Sequence, residues 1–147
     1  MTTLYAPFYL AFGRTDCYAC RRDMPVVALI ATAADEEDPE GETEPAFLHY
    51  VSASSNDLAS LVQARHADYK LAYSGMAGMS YYANHCPHCG KFSGDHFVMG
   101  PDGPFFPDSD TPAVVYELLP IETTLDLDCS PAWGVAAEIL STGRIRS

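Results

Sequence analysis

The feature of this chain that most constrains its fold is a pair of Cys-x-x-Cys motifs in separate parts of the sequence. Cys17 and Cys20 form the first motif, and Cys86 and Cys89 form the second. Four thiolates on two tight turns can surround one tetrahedral Zn²⁺ at about 2.3 Å per bond, and soft sulfur ligands favour zinc over hard cations. The sequence therefore predicts one structural zinc ion that joins the two turns, in a shell that iron would also fit.

The second motif carries the residues that a metal-binding turn needs. In "CPHCGK", Pro87 fixes φ after the first ligand, and Gly90 permits the positive φ that lets backbone N–H groups point at the sulfurs. The first motif, "CYACR", has Arg21 at the position that corresponds to Gly90. Short apolar segments flank both motifs, and they predict that each turn lies between two strands.

The second motif resembles the knuckle of zinc-ribbon and rubredoxin-like proteins with four cysteine ligands. Arg21 in the first motif departs from that pattern, in which glycine is commonest at this position. The two motifs are also farther apart than in the usual ribbon, so a helix and at least one hairpin must lie between them. Together, "CYACRRDMPVVALI" and "YYANHCPHCGKFSGDHF" resemble small uncharacterised bacterial proteins with a split site of this kind. The resemblance implies a four-cysteine zinc site and no particular activity.

Other roles for these residues are weighed against metal binding. Two pairs of buried, unbonded thiols are one alternative, but two such motifs in one small chain favour a metal. Thiol redox chemistry is another, although redox turns usually open a helix, whereas "CPHCGKFSGD" continues into glycine and a short strand. The fifth cysteine, Cys129, is interpreted as a packing residue. Because four cysteines complete the shell, His85, His88 and His96 are interpreted as surface groups or hydrogen-bond donors to the ligands.

The hydrophobic pattern predicts an α+β fold made of an antiparallel sheet, one main helix and a short C-terminal helix. "SSNDLASLVQARHADY" has apolar residues at helical spacing and N-cap candidates at its start. Ser130 as N-cap, Pro131 in the first turn and Gly143 as the stop predict the last helix. The predicted strands are a first strand in the N-terminal segment followed by residues 8–12, 26–31, 46–51, 79–84, 96–100 and 113–119. A length of 147 residues predicts a single domain over residues 1–147.

Charge limits the kinds of partner. The formal net charge of −12 disfavours binding to nucleic acid and to anionic lipid. Seven acids lie in "DEEDPEGETE", residues 35–44, which we interpret as a solvated hairpin loop rather than a docking segment for a basic partner. No apolar segment is close to the length of about 20 residues that a membrane span needs. The N-terminal segment has no basic residue before its apolar run, so the sequence predicts a cytoplasmic protein.

The leading functional hypothesis is a zinc-binding protein that acts as a protein-interaction or regulatory module. A zinc site with four cysteine ligands is closed, whereas a catalytic zinc keeps one position open for water. The chain has no G-x-S-x-G, H-E-x-x-H or phosphate-binding glycine loop. The predicted partner surface lies at the second motif, where Tyr81, Tyr82, Phe92 and Phe97 would anchor a contact.

An enzyme is the alternative hypothesis. Its pocket would lie among the aromatic residues of "YYANH" and "GPFFP", close to the second motif. Asp95 and His96, together with a nearby tyrosine, would supply the catalytic groups. Acids and histidines beside a zinc turn are more often groups that orient the ligands, so the interaction module remains the preferred hypothesis.

Overall fold

We describe the protein from a computed structural model. It describes residues 2–4, 7–31, 45–52, 56–76, 78–94, 98, 105, 116–123, 125–127, 130–132 and 136–145. The strands are β1 (Thr2–Leu4), β2 (Phe8–Asp16), β3 (Asp23–Ala31), β4 (Ala46–His49), β5 (Tyr69–Ser74), β6 (Met79–His85), β7 (Phe92–Ser93), β8 (Glu117–Ile121), β9 (Leu125–Leu127), β10 (Ser130–Ala132) and β11 (Arg144–Ile145). The helices are α1 (Asn56–Gln63) and α2 (Ala136–Thr142).

The strands form three sheets. A six-stranded sheet has the order β10-β4-β3-β2-β8-β11, a three-stranded sheet has the order β5-β6-β7, and β1 pairs with β9. β2 and β3 pair along their whole lengths, from Phe8 opposite Ala31 to Asp16 opposite Asp23. The α+β class is confirmed in this broad sense. The six-stranded sheet is mixed rather than antiparallel, because β11 runs parallel to β8.

The six-stranded sheet is buried on both faces, which explains the continuous apolar run of β3. Val27 and Leu29 pack in the cluster that contains α1 and the three-stranded sheet. Val26 and Ala28 pack in the other cluster, together with α2. A strand covered on both faces needs apolar residues at consecutive positions, and an alternating pattern would leave polar groups buried. The second cluster also contains Cys17 and Cys86, so the first cysteine of each motif belongs to the core.

The main helix is shorter than its sequence pattern predicts. α1 ends at Gln63, and Tyr69, which was expected on the helix, begins β5. β5 pairs with β6 from Tyr69 opposite Asn84 to Ser74 opposite Met79. Pairing with a strand distant in sequence therefore overrides the local helical spacing of Tyr69.

The last helix also begins later than expected. Ser130 and Pro131 were predicted as its N-cap and first turn, but they lie in β10 and pair with β4. β10 is an edge strand, where a proline costs no ladder hydrogen bond if its nitrogen faces outward. The predicted stop at Gly143 agrees with the end of α2 at Thr142. An added Cβ at Gly143 would lie only 2.5 Å from Leu118 Cδ1, so close packing requires glycine there.

Two predicted strands are shifted. The strand after the second motif is Phe92–Ser93, whereas Val98, expected in a strand over 96–100, is helical and donates its N–H to Gly94 O at 3.0 Å. The strand predicted over 113–119 is β8, Glu117–Ile121, and residues 113–115 lie outside the described residues.

The acidic segment 35–44 also lies outside the described residues. Its two neighbouring strands, β3 and β4, pair antiparallel with Ile30 opposite Phe47, so a hairpin connection joins them as predicted. Cys129 and His96 lie outside the described residues as well. Among the described residues, no helix has the length and apolar character needed to cross a membrane.

Candidate metal centre

The first Cys-x-x-Cys motif forms the tip of the hairpin between β2 and β3. Cys17 N–H donates a hydrogen bond to Arg22 O at 2.8 Å, and Arg21 N–H donates to Cys17 O at 2.9 Å. These two bonds close a tight turn, residues 17–22, which we call the first knuckle. The long pairing of β2 with β3 fixes where this turn lies relative to the six-stranded sheet.

The second motif forms an equivalent turn between β6 and β7. Cys86 N–H donates to Lys91 O at 2.9 Å, and Gly90 N–H donates to Cys86 O at 2.9 Å. The offsets along the chain match those of the first knuckle, so residues 86–91 form a second knuckle with the same backbone hydrogen-bond pattern. The backbone N–H of His88 also lies 3.4 Å from Cys86 Sγ, where it can stabilise a thiolate.

Both knuckles require a left-handed backbone conformation at their fifth residue. φ is +79° at Gly90 and +66° at Arg21. Glycine adopts such a conformation without steric cost, whereas the Cβ atom of arginine makes the same conformation unfavourable. Arg21, the residue that departs from the zinc-ribbon pattern, is therefore held in the conformation that the pattern's glycine would adopt.

Substitutions at these two positions should have opposite effects. We expect Gly90→Ala to lower the free energy of unfolding by about 1 kcal/mol, because φ is positive there while no atom lies within 4 Å of the added Cβ. Arg21→Gly should cost nothing or raise stability by up to about 1 kcal/mol by relieving the strain. Urea denaturation of the metal-loaded proteins measures both, and an equal loss at both positions would contradict the equivalence of the knuckles.

The two knuckles bring the four cysteine sulfurs together. Cys17 Sγ lies 3.6 Å from Cys89 Sγ, and Cys20 Sγ lies 3.6 Å from Cys86 Sγ. All four sulfurs lie within 4.8 Å of one another. Four sulfurs around one tetrahedral zinc at about 2.3 Å would be about 3.8 Å apart. The group therefore has the ligand number, chemistry and spacing to hold one metal ion.

The two cysteines of the first knuckle have pKa values that are shifted in opposite directions. The backbone N–H of Cys20, aided by that of Ala19, lowers the pKa of Cys17 to about 6 against the opposing effect of burial. Although the backbone N–H of Arg22 favours the thiolate of Cys20, burial and the neighbouring sulfurs, Cys86 first, raise its pKa to about 11. A metal ion would bind the Cys17 thiolate directly but would have to displace a proton from Cys20. Metal binding would therefore weaken as pH falls.

The two described histidines near the second knuckle, His85 and His88, are not part of the sulfur group. His85 Nδ1 lies 3.0 Å from Ala83 O, and its ring packs at a tilt against Phe92. His88 is exposed, and its Nε2 lies 3.3 Å from Asp23 O on the neighbouring hairpin. These two histidines therefore serve as packing and hydrogen-bonding groups around the knuckle.

Asn84 fixes the second hairpin against the first, and sequence reasoning did not identify it. Its Oδ1 accepts a hydrogen bond from Val27 N–H at 2.8 Å, and its Nδ2 donates to Val27 O at 2.9 Å. This pair of bonds imitates a neighbouring strand at the edge of β3, before β4 begins its own pairing at Ile30. Asn84 is 1% exposed and lies two residues before Cys86, so it sets the position of the second knuckle.

The structure also contains a buried histidine, His66. His66 follows α1, is 7% exposed, and its Nε2 has no hydrogen-bond partner among the described residues. Burial lowers the pKa of His66 below its ordinary value of 6.5, while the charge of Asp68 and the side chain of Asn84 oppose that shift. Burial therefore favours the neutral imidazole of His66 in the folded protein.

This burial predicts a pH effect on stability. The unfolded chain takes up a proton at His66 more readily than the folded chain, so the stabilisation is present above pH 6.5 and is lost as pH falls below that value. We expect His66→Gln to reduce the decline of the free energy of unfolding between about pH 7 and pH 5. Urea titrations of both proteins across this pH range measure the two slopes. Identical pH slopes would contradict the prediction.

Of the four aromatic residues that were expected to form a partner surface, Tyr81 and Tyr82 are in the core. Tyr81 is 3% exposed and packs edge-on against Tyr50, and Tyr82 is 9% exposed and stacks on Tyr69. Phe92 is half-buried, and Phe97 lies outside the described residues. Because the strand β6 is covered on both faces, its tyrosines stabilise the fold and do not present a docking surface.

The same burial bears on the enzyme alternative. Its pocket was expected among Tyr81, Tyr82 and the "GPFFP" segment, of which Phe105 is fully buried and stacks on Tyr116. Asp95 and His96, its expected catalytic groups, lie outside the described residues. The described aromatic residues of that alternative are therefore packing residues.

No family model, no curated protein and no solved structure matches the chain. The resemblance of the second motif to zinc-ribbon knuckles stays a prediction from the motif, whereas the grouping of the four sulfurs is a feature of the structure.

Proposed function

We propose that the chain binds one Zn²⁺ through Cys17, Cys20, Cys86 and Cys89, and that the metal staples the two knuckles together. The observation that carries this proposal is the convergence of two knuckles with the same hydrogen-bond pattern, which groups all four sulfurs within 4.8 Å. Soft sulfur ligands in a tetrahedral arrangement suit zinc and, in second place, iron. We further propose that the stapled protein acts as an interaction or regulatory module.

A structural role for the metal follows from the composition of the site. Among the residues that the structure describes, the group contains four cysteines and no histidine, aspartate or glutamate. A shell of four thiolates leaves no position for water, which a catalytic zinc requires. Both motifs lie at hairpin tips and neither opens a helix, an arrangement that also disfavours the thiol redox alternative.

X-ray absorption at the metal edge tests this proposal directly. We expect four sulfur neighbours at about 2.3 Å and no oxygen or nitrogen neighbour. Three sulfurs with one oxygen would indicate an open site and would favour the enzyme alternative. Four sulfurs around iron would retain the site and replace zinc as its metal, and the purified protein would then be red.

The interaction role is supported by charge. Four thiolates and one Zn²⁺ take the formal charge from −12 to about −14, so a partner that binds the acidic part of the surface would have to present a basic one. Affinity for such a partner should fall when salt is raised from about 0.05 to 0.5 M, because salt screens exposed charges. Replacing the seven acids of residues 35–44 by serine or asparagine should leave folding intact. Affinity for the basic partner would then fall if the segment is a docking segment, and would not change if it is a solvated loop. Affinity indifferent to salt would contradict a charge-driven partner.

A further inference from the structure

The hairpin formed by β5 and β6 exposes large apolar side chains at one place on the protein. Leu71 is 46% exposed, Tyr73 is 66% exposed, and Met76 in the turn is fully exposed. Leu71 and Tyr73 are two positions apart on β5, so their side chains lie on the same face of the strand. Exposed apolar groups that cluster in this way mark a surface that another molecule covers.

β5 is an edge strand whose outward backbone groups remain free over part of its length. His85 N–H donates to Asp68 O at 2.8 Å, and alternation along an antiparallel pair then turns the main-chain groups of Tyr69, Leu71 and Tyr73 away from β6. Tyr69 N–H donates to His66 O, and Tyr69 O accepts from Gln63 Nε2. In the part of the chain that the structure describes, nothing bonds the outward groups of Leu71 and Tyr73.

Other sheet edges in the described residues are protected, which sets β5 apart. β7 and β11 have two residues each, and β1, β9 and β10 have three, with Asp126 in β9 and Pro131 in β10. β5 has six residues, no proline and one charged residue, Lys70. Short strands, prolines and charges are the usual protection against edge-to-edge pairing. Among these edges, β5 is therefore the one suited to accept another strand.

Charge indicates which molecule can cover this edge. Residues 69–94 contain no aspartate or glutamate, although the whole chain carries twenty. Two copies of so acidic a protein repel each other over most of their surfaces, but they meet no acidic side chain from this segment when they approach through β5. We propose that β5 pairs antiparallel with β5 of a second copy of the chain, which forms a two-fold symmetric dimer.

The free backbone groups select one register for this pairing. Outward groups of one strand must meet outward groups of the other, and those of Tyr69 are already bonded. Both free residues of each strand can form hydrogen-bonded pairs in only one register. This register places Leu71 opposite Tyr73 of the second copy. Ala72 then lies on the two-fold axis opposite its own copy. The same register places the exposed leucine and tyrosine side chains in cross-strand contact and removes both from water.

The sheets of the two copies would then be continuous across the axis, in the order β7-β6-β5-β5-β6-β7. The interface lies at the β5 edge of the three-stranded sheet. The second knuckle joins β6 to β7, and β7 is the opposite edge of that sheet. The dimer goes beyond the proposed metal-binding function and does not depend on it.

Disulfide trapping tests both the dimer and its register. Ala72→Cys places two thiols on the axis in a non-hydrogen-bonded pair with Cα atoms about 4.5 Å apart, within the range of a disulfide. Lys70→Cys is the matched control, since it is more exposed but its two copies lie about 13 Å apart in this register. Oxidised glutathione would accept the two electrons and become two glutathione thiols.

We expect the metal-loaded Ala72→Cys protein to form at least ten times more covalent dimer than the Lys70→Cys or the unsubstituted protein. Equal trapping at residues 70 and 72, or none at residue 72, would overturn the proposal. Light scattering after size exclusion adds a measurement without substitution of Ala72. The unsubstituted chain and Ile145→Glu, another exposed apolar position, should have twice the chain mass of 16.0 kDa, whereas Tyr73→Glu should have the chain mass. A chain mass for the unsubstituted protein would also overturn it.

Discussion

Cys86→Ser should abolish stable folding of the protein under conditions in which the unsubstituted chain is soluble. The metal would join two knuckles about seventy residues apart, and closing a loop of that length is worth about 4 kcal/mol of unfolded-state entropy by analogy with a crosslink. Metal coordination contributes more than this entropy. Cys86 is also 2% exposed and belongs to the core, so a serine hydroxyl there would be buried beside an incomplete metal shell.

Two further variants define the cause of that effect. Cys89→Ser removes a ligand that is exposed, so a loss of comparable size there would show that metal binding and not core packing is responsible. His88→Ala is the control, because its backbone N–H to Cys86 Sγ remains and its exposed side chain contributes one hydrogen bond to Asp23 O. We expect it to change the free energy of unfolding by no more than about 1 kcal/mol. Metal loss in His88→Ala with metal retained in both cysteine variants would contradict the ligand assignment.

Asn84→Ala should lower the free energy of unfolding by about 2–5 kcal/mol. The substitution removes the partners of both the N–H and the C=O of Val27, and each buried backbone group left without a partner costs about 1–3 kcal/mol. Because Asn84 also positions the second knuckle, metal affinity should fall together with stability. Chemical denaturation and a competitive chelator titration measure the two effects on the same preparation.

Asn84→Asp and Ser80→Ala make the prediction for Asn84 specific. Aspartate retains an acceptor for Val27 N–H but replaces the donor to Val27 O by a buried negative charge, so the loss should be at least as large as for alanine. Ser80 lies on the same strand and is exposed, and Ser80→Ala should stay within about 0.5 kcal/mol of the unsubstituted protein. If aspartate were tolerated as well as asparagine, the paired bonds to Val27 would not hold the hairpins together.

The sequence was most informative where one local pattern determines one local structure. The spacing of the cysteines, together with Pro87 and Gly90, predicted two turns between strands, and the structure brings the four sulfurs of these turns together. Gly143 marked the end of the last helix because its role depends on its own backbone and close neighbours.

Features that depend on distant partners were not predictable in this way. Tyr69 has helical spacing but pairs in a sheet with Asn84, and Ser130 resembles a helix cap but pairs with His49. The role of Asn84 depends on the open edge of β3 at Val27, which no local pattern announces. The burial of Tyr81 and Tyr82, on a strand covered on both faces, likewise removes two of the four residues of the expected partner surface. In each of these cases the determining contact is between residues far apart in the sequence.

Mass spectrometry of the intact protein under native conditions tests the central claim most directly. We expect one zinc ion per chain, with Cys17, Cys20, Cys86 and Cys89 protected from alkylation until a chelator removes the metal. After removal, the four thiols should react and the protein should lose its cooperative unfolding transition. A folded protein without stoichiometric metal, or one in which either Cys-x-x-Cys pair forms a disulfide, would contradict the account.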